Sequence, residues 1–332
     1  MIYVLAFLAS GAVVVVAGTA LARYADAIAE ATGLGRLWIG SVLLAAATSL
    51  PELMTDVSAV RLGAADLAVG DLFGSSMANM LILAIIDLMP PRQHVLQRAT
   101  LDHALAASLA ISLNALAAAL VIARPEFTVA RMGLGSLFLF LAYVAGTRVI
   151  HRHALRDGRG VATPPSEGGL RAAPGLLRAA VGFMTAALAV CASGPVFAWS
   201  AKGMAAITGL GNTFFGTWLV GLSTSLPELV TCLAAVRMGA FDMAVGNLFG
   251  SNALNMAIFP ALDIAQPGDL FAVVDPGHAL SGLFAVVLMG LGLGAIVYRA
   301  KKRFALIEPS SLLMVIAYIA GLLLLYVHTH GL

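Results

Sequence analysis

Residues 40–65, GSVLLAAATSLPELMTDVSAVRLGAA, return as residues 216–241, GTWLVGLSTSLPELVTCLAAVRMGAF. The match runs on through DLAVGDLFGSSMANM and DMAVGNLFGSNALNM at a constant offset of 176. Of the 50 positions in 40–89, 26 are identical to their counterparts in 216–265. Upstream, Thr32-Gly33-Leu34-Gly35 falls on Thr208-Gly209-Leu210-Gly211 in the same register. An ungapped match of this length is an internal duplication, so the architecture consists of two copies of one unit.

Composition says where the unit resides. The 332 residues are 60% hydrophobic and only 11% charged, with a mean hydropathy of +0.95. A water-facing surface needs more charge than this, and backbone groups in lipid are satisfied by helices, at about 20 apolar residues per crossing. The expected surroundings are the lipid bilayer of the cell (inner) membrane. A net charge of +2 argues against a nucleic-acid partner. Cys191 and Cys232 lie in apolar runs and read as buried thiols rather than a disulfide. The first 22 residues lack the basic start of a signal peptide and are kept as a mature helix.

Breaking the chain at charges, prolines and glycines predicts ten spans: 2–22, 35–60, 67–88, 100–122, 128–149, 174–199, 211–236, 243–264, 277–298 and 308–328. Residues 1–150 then form a first five-helix repeat and 174–332 a second, joined by a polar cytoplasmic linker at 151–173. With both termini outside, the inner loops carry fifteen of the nineteen Lys and Arg residues, the bias that sets orientation. Five spans separate equivalent points. An odd number inverts one copy relative to the other, the arrangement of secondary transporters whose sites lie between broken helices near the bilayer midplane.

The chemistry sits in the best-conserved part of the duplication. Each copy carries Thr-Ser-Leu-Pro-Glu within a span, as Thr48, Ser49, Pro51 and Glu52 and as Thr224, Ser225, Pro227 and Glu228. A proline within a helix removes one donor and frees the carbonyl four residues back, here of Ala47 and Ser223. Thr48 and Glu52, like Thr224 and Glu228, are four apart and share a helix face. An ionisable residue at membrane depth marks function by default. The second motif supplies Ser75 with Asn79 and Ser251 with Asn255, and Gly70, Gly74, Gly246 and Gly250 permit close helix approach. All these ligands are oxygens, with no histidine or cysteine among them. Calcium takes six to eight such ligands in flexible geometry, and sodium also suits an oxygen cage. Two glutamates neutralise one calcium ion or hold sodium ions instead, and that competition is a basis for exchange.

On these motifs the sequence resembles the cation/calcium exchanger superfamily, prokaryotic sodium/calcium exchangers in particular, over nearly its whole length. The resemblance implies an all-α membrane protein of ten transmembrane helices in two inverted five-helix repeats. It implies Glu52 and Glu228 as central ligands, with Thr48, Ser49, Thr224, Ser225, Ser75, Asn79, Ser251 and Asn255 around them. It also implies backbone oxygens from Ala45 and Gly221. The transported calcium and sodium ions are then the partners, no cofactor is called for, and the oligomeric state, a monomer included, stays open. Asn at both 79 and 255, where some members have Asp at one, leaves proton and potassium coupling open. Copy one departs from the usual Asn at Asp71, opposite Asn247, and has Ser76 opposite Asn252. Asp71 reads either as a third negative charge near the site or as a hydrogen-bonded packing residue.

Other polar residues read as structural. Asp66 and Asp242 precede spans as N-caps, Arg61 and Arg237 anchor at the interface, and Asp87 and Asp263 recur at span ends. Asp56 lies one turn beyond Glu52, but its counterpart is Cys232, so it is not counted as a ligand. His151 and His153 lack the further ligands of a metal site. No HExxH or GxSxG is present, which argues against an intramembrane enzyme. The expected function is sodium-for-calcium antiport by alternating access, with proton/calcium exchange as the alternative and a passive channel as the other class.

Overall fold

The computed structural model of the chain describes residues 2–89, 95–98, 100, 102–125, 127–129, 132–156, 175–208, 224–266, 269–298 and 309–330. It is almost entirely helical. The first half comprises α1 (Ile2–Thr32), a short α2 (Arg36–Trp38), a π-helical turn (Ile39–Leu44), α3 (Ala45–Thr48), α4 (Leu50–Arg61), α5 (Ala65–Leu88), α6 (Val95–Arg98), α7 (His103–Ala123) and α8 (Leu134–Arg156). The second comprises α9 (Leu176–Thr208), α10 (Leu226–Arg237), α11 (Phe241–Ala257), α12 (Phe259–Ala265), α13 (Leu270–Val273), α14 (His278–Tyr298) and α15 (Pro309–His330).

Among the described residues, eight helical stretches are long and apolar enough to cross a membrane, and the bent pair Arg36–Thr48 and Leu50–Arg61 makes a ninth. Of the predicted span 211–236, residues 211–223 lie outside the described residues, as does most of the predicted linker. Three boundaries differ from the sequence expectation. Helix α1 runs ten residues past position 22, because Ala25, Ala27, Ile28 and Ala29 continue its buried face. Helix α8 starts late, because Thr128–Val129 pairs antiparallel with Met132–Gly133 in a small hairpin (β1, β2). It then runs to Arg156, into the stretch expected to be linker.

Burial sorts the helices into two groups. Over the membrane window, α5 is 83% buried and the α11–α12 span 72%, against 28% for α1 and 22% for α15. The motif helices therefore form a protein-enclosed centre, and α1, α8, α9 and α15 face lipid with side chains such as Val16, Leu141, Leu188 and Leu323. Helix α1 packs along α9, and α5 packs against both α14 and α15.

The two copies close the α4–α5 and α10–α11 corners alike. Gly63 (φ 79°) and Gly239 (φ 76°) take the left-handed conformation that ends each preceding helix. Asp66 and Asp242 are not the N-caps that the sequence suggests. The cap positions are Ala64 and Ala240, and neither makes a side-chain cap. Instead Asp66 Oδ1 accepts from the Asp275 backbone N–H at 2.7 Å and lies 3.1 Å from His278 Nε2. Asp242 Oδ1 accepts from the Thr100 N–H at 3.1 Å and lies 2.9 Å from His103 Nε2. Each half thus grips a loop of the other. Asp87 and Asp263 do anchor span ends. Asp87 accepts from Leu96 N–H and Ser311 Oγ, and Asp263 from Leu270 N–H and Gly133 N–H.

Candidate cation site

Both motif helices break at the same residue. Ser49 has φ −86° and ψ 0°, and Ser225 has φ −81° and ψ 4°. These values leave the helical region for the sparsely populated bridge region, where functional residues recur. Pro51 and Pro227 then stand in the first turn of α4 and α10, where a missing N–H costs nothing. The bend at the first break is 40°. Just before it, Ile39–Leu44 forms a π turn that the sequence did not announce, a distortion frequent at functional sites.

The break can lie at the centre of the protein because glycines let the helices meet. A Cβ on Gly250 would stand 2.3 Å from Ser41 O, and one on Gly246 2.9 Å from Leu37 O. Gly40 faces Met243 O just as closely, at 2.5 Å. The predicted close approach therefore holds for Gly246 and Gly250. Gly74 meets nothing among the described residues.

Every predicted ligand within the described residues is buried, at 1% exposure or less: Ala45, Thr48, Ser49, Glu52, Asp71, Ser75, Asn79, Thr224, Ser225, Glu228, Ser251 and Asn255. Gly221 lies outside the described residues, as does the carbonyl of Ser223. The two halves interlock here. Ser49 Oγ donates to Glu228 Oε1 at 3.5 Å, and Ser251 Oγ donates to the same oxygen at 3.4 Å. Thr48 Oγ1 reaches Asn247 Oδ1 at 3.4 Å, and Thr224 Oγ1 reaches Asp71 Oδ1 at 3.2 Å. Thr224 Oγ1 also lies 3.4 Å from Ser75 Oγ. Ser49, which reaches Glu228, stands three residues before Glu52, and both glutamates are fully buried. The two motif glutamates thus belong to one buried cluster.

That cluster is short of donors. Among the described residues, fourteen buried side-chain polar atoms have no hydrogen-bond partner. Ten of them are here: both oxygens of Glu52, Glu228 Oε2, Ser225 Oγ, Asn79 Oδ1, both polar atoms of Asn255, Asp56 Oδ2, Asp71 Oδ2 and Thr55 Oγ1. An unpaired buried polar atom costs about 1–3 kcal/mol, so such a concentration is a design for something that brings positive charge. Among the described residues no three His, Cys, Asp or Glu could hold a metal by themselves. A cation held here must also draw on the hydroxyl and amide oxygens.

Two features escaped the sequence. Asn252 joins the halves: it accepts from Asn79 Nδ2 at 2.9 Å and donates to Ser76 O at 3.2 Å, and its own carbonyl accepts from Asn114 Nδ2 at 3.1 Å. Asn114 is the one amide side chain in α7, which is the signal that could have found it. Asp56, set aside because its counterpart is Cys232, is 1% exposed, and that counterpart contacts Asn247, the counterpart of Asp71. The carbonyl of Ala45, expected as a ligand, already accepts Ser49 N–H at 3.0 Å and Thr48 Oγ1 at 3.3 Å.

Comparison with known proteins closes the point. The family model of the sodium/calcium exchanger protein matches residues 2–148 and 178–327. The chain belongs to that family. Its activity is cation antiport, not catalysis. The inner membrane protein YrbG of Escherichia coli is 29% identical over 267 residues, 80% of this chain and 79% of its own. The sodium/calcium exchanger MaX1 of Methanosarcina acetivorans is 26% identical over 266 residues, 72% of this chain and 76% of its own. The solved structure of the sodium-calcium exchanger NCX_Mj, soaked with sodium and strontium, superposes with a TM-score of 0.71 at 21% identity, covering 96% of this chain and 97% of that one. The fold is that of the sodium/calcium exchangers.

Proposed function

We propose that this exchanger carries sodium one way and calcium the other, both at the cluster between the two broken helices. Glu52 and Glu228 are the central ligands. Thr48, Ser49, Thr224, Ser225, Ser75, Asn79, Ser251 and Asn255, with backbone oxygens of Ala45 and Gly221, complete the set, and Asp71 adds a third negative charge. The observation that carries the reading is the gathering of unpartnered buried oxygens at these residues, contributed by both halves. Two carboxylates neutralise one calcium ion, and sodium ions compete for the same oxygens. Mutually exclusive occupancy couples the two fluxes, and inverted halves supply two opposed openings to one site. Residues 1–150 and 174–332 are the two repeats, and both termini face the outside of the inner membrane.

The test is calcium-45 uptake into sodium-loaded proteoliposomes across a pH series. Sodium-dependent uptake that vanishes in Glu52→Gln and in Glu228→Gln is the expected result. Uptake that persists in either variant overturns the ligand assignment. Uptake driven by a pH gradient without sodium replaces sodium by protons as the coupling ion.

A further inference from the structure

The halves agree closely in sequence, so the place where they differ most in charge is informative. In the second half Asn247 Nδ2 donates to Thr231 Oγ1 at 3.2 Å and lies 3.5 Å from Cys232 Sγ, and Thr231 Oγ1 itself donates to the carbonyls of Pro227 and Glu228 at 2.8 and 3.0 Å. That knot is neutral and closed. In the first half the same three positions are Asp71, Thr55 and Asp56. Here the knot is acidic and open. Asp56 and Asp71, at 1% exposure each, hold the positions whose counterparts Cys232 and Asn247 are in contact, and among the described residues no salt bridge reaches either. Asp56 Oδ2, Asp71 Oδ2 and Thr55 Oγ1 are buried without a partner, whereas the counterpart hydroxyl of Thr231 is fully engaged.

Two buried carboxylates that face each other repel and lose hydration, and either a shared proton or a cation between them relieves this; a shared proton would engage the two carboxyls but leave the Thr55 hydroxyl without a partner. We propose that Asp56 and Asp71 form a second cation subsite, present in the first half only, which binds one sodium ion beside the Glu52–Glu228 site. The inference rests on the exchange reading of that neighbouring site. Sodium is favoured over calcium by the donor count: with Asp71 Oδ1 engaged by Thr224, both oxygens of Asp56, Asp71 Oδ2 and the hydroxyls of Thr55 and Thr224 make at most five, short of the six to eight oxygens that calcium takes. The Thr224 hydroxyl donates to Asp71 Oδ1 at 3.2 Å and lies 3.4 Å from Ser75 Oγ. The subsite is thus joined to the central one through a residue of the other half.

The experiment is equilibrium binding of sodium-22 to the detergent-purified full chain, without calcium. Asp56→Cys/Asp71→Asn rebuilds in the first half the pair that the second half already uses. The wild type is expected to bind one sodium ion more per chain than this variant. Equal counts overturn the subsite. Asp71→Asn alone, which restores the residue of position 247, gives an independent reading should the double variant fail to fold. There the loss of one sodium ion supports the subsite, and an unchanged count overturns it. Calcium-45 binding to the wild type is measured in parallel. Its absence would sink the exchange reading, while the sodium count still decides for or against the subsite.

Discussion

Glu52→Gln is predicted to make the ion-free protein more stable and to remove its response to calcium. Glu52 is fully buried, neither of its oxygens has a hydrogen-bond partner, and Glu228, Asp71 and Asp56 are buried acids of the same cluster. Glutamine has the same shape, so no cavity opens. No hydrogen bond is lost, because none is made, and the new amide donates to the surrounding carboxylates while one repelling charge disappears. Relieving a strained functional site in this way stabilises by about 0.5–2 kcal/mol. For a chain of 332 residues, at about 2.1 cal/mol/K of unfolding entropy per residue, that raises the melting midpoint by roughly 1–3 °C. In the wild type, calcium at a hundredfold excess over Kd adds ~2.7 kcal/mol, or about 4 °C on the same scale. Removing one partner of a buried charge interaction costs about 3–5 kcal/mol, so calcium affinity falls by a factor of roughly 100 or more and the shift vanishes at that concentration. The assay is thermal unfolding of the detergent-purified protein, followed by intrinsic fluorescence in chelator and in calcium. A lower midpoint in chelator combined with an intact calcium shift would refute the reasoning.

Three further perturbations test the frame around the site. Gly250→Ala sets a Cβ against the Ser41 backbone at 2.3 Å, and Gly290→Ala adds one on an exposed helix face with no described atom within 4 Å. The first should cost about 1–3 kcal/mol or more by overpacking and depress calcium uptake, and the second should be neutral or gain up to about 1 kcal/mol, as melting midpoints will report. Asn252→Ala strands the Asn79 amide between the halves, at about 1–3 kcal/mol. A double-mutant cycle with Asn79→Ala should show coupling above about 0.5 kcal/mol. His103→Ala should lower the midpoint more than His278→Ala, because the His103–Asp242 contact is buried (0% and 23% side-chain exposure) and the His278–Asp66 contact is wet (20% and 59%). Equal losses would contradict a role for burial.

What the sequence disclosed was whatever the two copies share. Position 52 could be matched with 228, and 48 with 224, because duplication supplies each candidate with its own control. The broken helix followed from Pro51 and Pro227 because proline's missing donor acts locally. The π turn at Ile39–Leu44 had no such signal, since its cause is the packing of Gly246 and Gly250 against Leu37 and Ser41 from the other half. Asp66 and Asp242 misled for the same reason. An acid two residues past a turn is a good cap by local rules, and only the fold brings His278 and His103 within reach of it.

The same logic explains why Asp56 was set aside. Comparing copies treats a mismatch such as Asp56 against Cys232 as noise. Yet Asp71 against Asn247 is a mismatch at the position that touches the first one, and both substitutions run from neutral to acidic. Two independent accidents would not be expected to meet in one buried contact and leave two unpartnered oxygens there, each such group costing about 1–3 kcal/mol. A change at one position makes sense only with the other, so the pair has to be read as a unit. In a duplicated transporter, then, identities locate the shared machinery, and paired differences in contact locate what one half does that the other does not.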